Sequence, residues 1–87
     1  MTDEAILATV FAMIGQETGM SASEMSAEMT ASDVPGWDSL AHIRILLEIG
    51  ARLGVSIDIE KTYGAATIGD LVPIIRQSPR DRGSGAA

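Results

Sequence analysis

Apolar side chains return at helical spacing in three stretches of the chain. In the first, Ile6, Leu7, Val10, Phe11, Met13 and Ile14 fall on one side of a helix running from Thr2 to Gly15. At about 100° per residue they span an arc of roughly 160°, the pattern of an amphipathic helix facing a core. Asp3 and Glu4 suit its N-terminal end, where the helix dipole is positive, and Gly15 or Gly19 stops it. Residues 16–36 then form a long connection rich in Ser, Ala and Met. Met25 and Met29, four apart, predict one short helical piece that pins this connection to the core with adaptable side chains.

The second stretch opens at Asp38, a good N-cap, and continues with Leu40, Ile43, Leu46, Leu47, Ile49 and Leu53. Its apolar arc is wide, roughly 220° by the same geometry. The remaining face carries Arg44, Glu48 and Arg52 at four-residue steps, which predicts a solvated ion-pair ladder contributing a few tenths of a kcal/mol per pair. Gly50 weakens this helix by about 1 kcal/mol relative to Ala. Val55, Ile57 and Ile59 alternate like a strand, but a single strand has no sheet to join. The segment therefore reads as extended chain leading into one helical turn capped by Asp58.

In the third stretch Thr67 and Asp70 form a capping-box pattern, and Ile68, Leu71, Val72 and Ile75 supply an apolar stripe. Pro73 leaves two outcomes, because inside a helix it removes a hydrogen bond and clashes with the preceding turn. Either this helix kinks, or Asp70 caps it and Pro73 lies in its first turn. From residue 79 to 87, Gly, Ser, Pro and charge replace periodicity, as in a disordered tail. The pattern predicts an all-α fold, a small helical bundle forming one domain over residues 1–78.

Composition narrows the chemistry. With 46% hydrophobic residues but one Phe, one Tyr and one Trp in 87, the core must be aliphatic and Met-built, which suits helices. A net charge of -6 opposes binding to nucleic acid or anionic membrane and favours partners with basic faces. The absence of Cys excludes disulfides, thiolate metal sites and a protein-borne thiol nucleophile. One His and scattered carboxylates predict no metal site. Acidic residues stand where a signal peptide needs basic ones, and no apolar run reaches the length of a membrane span. A cytoplasmic location with no membrane partner is expected.

Candidate chemistry gathers in "VPGWDSLAHI", residues 34–43, which holds Trp37, Ser39 and His42. A Ser nucleophile needs a base oriented by a third group and a place for the oxyanion. His42 stands three residues past Ser39 and within reach across one helical turn, but no residue evidently orients it. The Gly-Asp-Ser-Leu pattern of one hydrolase family is also interrupted here by Trp37. A plainer account makes Asp38 the cap, Ser39 the first helical residue and Leu40 the start of the core. Trp37 is then either a loop anchor or part of a surface that a partner reads.

The segment "ASDVPGWDSLAHIRILLEIGARLGVSID", followed by "TIGDLVPII", resembles the acyl carrier protein family over most of the chain. The resemblance implies a four-helix bundle with a long loop between helices 1 and 2 and a short third helix. It implies that Ser39 is the attachment point for 4'-phosphopantetheine, taken from coenzyme A by a phosphopantetheinyl transferase. Asp38 would cap the helix and help engage the transferase and its metal, and Leu40 would be a hydrophobic contact beside it. Trp37, His42, Arg44 and Glu48 are the expected partner-recognition residues. The chain would then be no enzyme but a monomeric carrier of an acyl or related group held as a thioester. Its partners would be an acyl-loading ligase or acyltransferase and downstream biosynthetic enzymes. A helical interaction module of the same fold that is never modified is the alternative.

Within that family "GWDSL" is more similar to carriers of fatty acid, polyketide and stand-alone biosynthetic systems than to peptidyl carriers. Here the second helix shows Arg44, Glu48 and Arg52 where the family displays several acids, which implies a specialised carrier with a narrower set of partners. Ile43, Leu46, Leu47, Met13, Met29, Ile59, Leu71 and Ile75 are candidates to line a cavity for cargo between helices.

Overall fold

The Thr2 hydroxyl accepts a hydrogen bond from Ala5 N at 3.1 Å and so opens helix α1, Asp3–Thr18. Of the two glycines able to end it, Gly19 does so, with φ 84° and its N–H on Gly15 O. This left-handed conformation is one that a side chain rarely adopts. The computed structural model describes residues 1–81; among them the remaining helices are α2 (Ser39–Leu53), α3 (Ile59–Thr62) and α4 (Leu71–Arg76), with no strand. The fold is all-α, as expected, and the long loop and short third helix are where the sequence places them.

The connection from α1 to α2 is pinned differently from the single helical piece expected between Met25 and Met29. Two 3-10 turns, Ala22–Glu24 and Ala31–Asp33, flank that stretch instead. Each is closed by an acid reaching back: Glu24 accepts from Ser21 N at 3.1 Å and Asp33 from Thr30 N at 2.9 Å. Met25 and Val34 are buried, while Met29 is only partly covered. Backbone bonds from Ile68 N to Met29 O and from Gly69 N to Ala27 O, both 2.8 Å, tie the loop to the approach of α4. Local polar closure therefore fixes the loop before α2, and two side chains seal it to the core.

The core is formed where α1 packs chiefly against α2 and more lightly against α4. Ile6, Val10 and Ile14 meet Ile45, Leu46, Ile49, Ile68 and Ile75, all essentially without solvent contact. Each such side chain contributes about 1.5–3 kcal/mol relative to exposure. The buried face of α2 is Ala41, His42, Ile45, Leu46, Ile49 and Gly50. This corrects the expectation that Leu40, Ile43 and Leu47 face inward: Leu40 is 56% and Leu47 60% exposed. A bundle this small covers one seam of α2, and an arc as wide as the sequence offers leaves one edge in solvent.

Gly50 has a reason beyond helix propensity. A Cβ there would stand 2.7 Å from Val55 O, where the chain doubles back after α2. The extended segment then enters α3, which Asp58 caps by accepting from Glu60 N at 3.1 Å. Thr67 and Asp70 close their capping box around a 3-10 turn, Ile68–Asp70, that runs straight into α4. Pro73 thus lies in the first turn of α4, where its missing N–H has no intrahelical acceptor to lose.

Residues 79–81 differ from the expected irregular tail. Ser56 N bonds to Pro79 O at 2.8 Å and Asp81 N to Gly54 O at 2.9 Å, framing one antiparallel bridge between Val55 and Arg80. The rest of the tail expectation, residues 82–87, lies outside the described residues.

Candidate functional site

Asp38 takes an extended conformation, φ -104° and ψ -173°, and its carboxylate accepts from Ala41 N at 2.8 Å. That cap places Ser39 at the first helical position, exposed to solvent. Among the described residues its Oγ has no hydrogen-bond partner. His42 N is already bonded to Asp38 O at 2.9 Å, so the N–H groups of Ser39 and Leu40 are the ones left free at the positive end of α2. An unengaged hydroxyl is thus presented where an anionic substituent is electrostatically tolerated.

His42 is not at the surface. It is 9% exposed, and both ring nitrogens are used. Trp37 Nε1 donates to His42 Nδ1 at 3.1 Å, and His42 Nε2 lies 2.7 Å from Thr62 Oγ1. An indole N–H can only donate, so Nδ1 is the acceptor and the proton is on Nε2. Nε2–H then donates to Thr62, whose hydroxyl donates in turn to Ile59 O. Burial pushes the imidazole pKa below its ordinary value, which keeps this neutral tautomer. The imidazole also has the Trp37 ring centroid 5.9 Å away and the Tyr63 ring centroid 4.7 Å away, each within about 30° of parallel to it.

These contacts correct the expectation that His42 is read by partners, and they remove it as a base for Ser39. Trp37 is partly buried and anchors the loop before Ser39, with part of its surface left open. Leu40 is exposed beside Ser39, as a contact residue must be. Arg44 and Glu48 are exposed one turn further along α2, around a groove of about 350 Å³ shared with Met13, Gln16, Glu17 and Leu47. Arg44 pairs across to Glu17 of α1 at 3.5 Å, and among the described residues no pair forms along the expected Arg44, Glu48, Arg52 ladder.

A second groove, about 330 Å³, opens beside Ser39. Trp37, Tyr63, Ala31 and Ala65 wall it, His42 and Thr62 lie at its base, and Asp38 and Ser39 line it at the start of α2. Thr62 and Tyr63 are site residues that periodicity does not single out; the nearest sequence signal is a Thr in an otherwise short, charged turn. The eight candidates for a shared cargo cavity are not brought together, since Ile43 and Leu47 face outward. No group of three or more His, Asp or Glu side chains gathers among the described residues, and no described helix is long and apolar enough to cross a membrane.

Comparison with known proteins bears on this geometry. The model of the family described as "phosphopantetheine attachment site" matches residues 8–74. An acyl carrier protein of an Exiguobacterium species is 32% identical over 75 residues, covering 86% of this chain and 95% of the relative. A meromycolate extension acyl carrier protein of Mycolicibacterium smegmatis is 31% identical over 86 residues, 99% of this chain and 87% of the relative. One of the same name from Mycobacterium leprae is 32% identical over 77 residues, 88% of this chain and 67% of the relative. No solved structure gives a significant match.

Proposed function

This chain belongs to the phosphopantetheine-binding acyl carrier protein family, whose members are carriers and not enzymes, and we propose that Ser39 is where it bears its 4'-phosphopantetheine. The observation that carries the reading is the exposed, unpartnered Ser39 hydroxyl behind the Asp38 cap, beside a groove and next to two free backbone N–H groups. In the transfer, Ser39 Oγ forms a phosphoester bond with the pantetheine-bearing phosphorus of coenzyme A. The link between the two phosphates breaks toward the nucleotide, and the hydroxyl proton passes to a base of the transferase. When bound, the arm supplies the thiol that this chain lacks, and cargo rides on it as a thioester.

Within that account the chain's own residues orient and present. Asp38 holds the first turn and offers its second carboxylate oxygen to the transferase metal, while Leu40 offers an apolar contact. Trp37, Arg44 and Glu48 are the residues that partner enzymes read. The cargo is an acyl intermediate of fatty acid, polyketide or other specialised biosynthesis, in keeping with relatives named for meromycolate extension. A loading ligase or acyltransferase supplies it and downstream enzymes consume it. The carrier acts as a cytoplasmic monomer over residues 1–78.

Incubation with coenzyme A and a broad-specificity phosphopantetheinyl transferase, followed by intact mass measurement, tests the reading. A gain of one phosphopantetheine in the native chain and none in Ser39→Ala is expected. No gain in the native chain would favour the unmodified interaction module.

A further inference from the structure

The groove between α1 and α2, about 350 Å³, is a separate surface from the one beside Ser39, since the two share no lining residue. Its volume is at the low end for a small-ligand cleft, enough for a long side chain and little more. Buried Met13 and Ile45 form its floor and exposed Leu47 one wall, so its inside is chiefly apolar. On α2, Leu40, Arg44, Leu47 and Glu48 fall within about 100° of arc, so this wall continues to the exposed Leu40 next to Ser39. Glu48 stands about 13 Å along the helix axis from Ser39.

The rim decides what can enter. Arg44 is already engaged across the helices by Glu17 at 3.5 Å. The Glu48 carboxylate and the Gln16 amide have no hydrogen bond or ion pair among the described residues. Glu17, Arg44 and Glu48 together leave the rim negative, the same sign as the chain's net charge of -6. An anion entering here would face Glu48 and find Arg44 taken, whereas a cation meets an unpaired carboxylate and an amide oxygen that can accept. A neutral apolar side chain would cover the floor but draw Glu48 from water without giving it a partner. A Lys or Arg side chain satisfies both parts, because its aliphatic stem covers apolar surface while its charged head stays at the rim.

We infer that the α1–α2 groove is the docking site for a basic side chain, Arg or Lys, projecting from a partner enzyme. Its stem lies over Met13, Ile45 and Leu47, its head pairs with Glu48, and Gln16 is a further acceptor. Arg44 contributes by holding Glu17 at the rim. This rests on the reading of Glu48 as a residue that partners meet. The groove beside Ser39 lies on the α3 side of α2 and this one on the α1 side, so a partner seated here leaves the arm and its cargo unobstructed.

The test titrates the full isotope-labelled chain with butylguanidinium chloride, an Arg side chain without its backbone, at fixed ionic strength. Sodium pentanoate, similar in length and opposite in charge, and guanidinium chloride, the head without the stem, are the comparison ligands. Shifts of the Met13, Ile45 and Leu47 methyls and of the Glu48 amide in nuclear magnetic resonance spectra read occupancy. Saturable shifts with a dissociation constant of about millimolar size are expected for butylguanidinium and for neither comparison ligand. In Glu48→Gln, which keeps the shape of an exposed side chain and removes its charge, affinity should weaken by about threefold, the size of an exposed charge pair. No saturable shift with butylguanidinium, equal saturation by pentanoate or guanidinium, or an unchanged affinity in Glu48→Gln overturns the docking site. Uptake of phosphopantetheine is read separately by mass. A modified chain whose groove stays empty overturns the docking site alone, while an occupied groove on a chain that is never modified overturns the attachment site and leaves the docking surface standing.

Discussion

Trp37 and His42 form a donor and acceptor pair five residues apart, indole Nε1 to imidazole Nδ1 at 3.1 Å, that joins the last turn of the long loop to the first turn of α2. Because the indole can only donate, this one bond sets the tautomer of the single histidine and the direction of the run through Thr62. The segment carrying Ser39 is thereby held twice, by the Asp38 cap on Ala41 N and by the Trp37 bond to His42.

Replacing His42 with Ala removes the centre of that run. The Trp37 N–H loses its acceptor, Thr62 loses a donor, and a cavity opens between α2 and α3. A loss of about 2–3 kcal/mol in unfolding free energy is expected. Urea denaturation followed by helical circular dichroism measures it, and a change within about 0.5 kcal/mol would show that the run is incidental.

The same histidine makes stability depend on pH in a defined sense. Desolvation lowers its folded pKa below the ordinary value of 6.5, so the unfolded chain takes up a proton first as pH falls. Its stabilising contribution is full above about pH 6.5, declines as pH falls below that value and levels off under the folded pKa. Protonation also puts N–H on Nδ1, facing the Trp37 donor. Denaturation midpoints between about pH 7.5 and pH 5 should fall for the native chain and fall less for His42→Gln. Equal slopes in both would assign the dependence to the carboxylates.

Asp38 caps α2, and substitutions separate that duty from its proposed engagement of the transferase metal. Asp38→Asn keeps a side-chain acceptor for Ala41 N, so stability changes by only a few tenths of a kcal/mol. Asp38→Ala loses the cap, at a cost of about 1 kcal/mol. Transfer of phosphopantetheine should slow by about tenfold or more in both, equivalent to about 1.4 kcal/mol in the barrier, because neither offers the transferase metal a charged oxygen. An Asn variant modified at the native rate would confine Asp38 to capping.

Gly50→Ala tests the close approach after α2. Propensity alone predicts stabilisation by about 1 kcal/mol. The 2.7 Å separation from Val55 O instead forces the returning chain outward, and a net loss of about 1–3 kcal/mol is expected. A more stable variant would show that the turn yields freely.

What was legible in the sequence is what is local. Asp38, Asp58 and the Thr67–Asp70 box declare their helix starts through bonds spanning two or three residues, and each is found as read. Gly19 and Pro73 each resolve into one of the two outcomes they allowed. The face of α2 was not legible, because more apolar positions were offered than the bundle can bury, and Ile45 and His42 took inward places instead of Leu40 and Leu47. His42 was misread and Thr62 missed because their bond joins residues 20 apart, and because His42, although at core spacing with Ile45, Leu46 and Ile49, is a polar side chain. Arg44 likewise finds its partner on α1 and not along its own helix.

Location of the modification tests the central claim most directly. After reaction with coenzyme A and a phosphopantetheinyl transferase, the protein is digested and the modified peptide fragmented by tandem mass spectrometry. The account predicts phosphopantetheine on Ser39 alone, within the peptide containing "GWDSLAHI". Phosphopantetheine on another serine of the chain, or none on Ser39 under conditions that modify a control carrier, would contradict it.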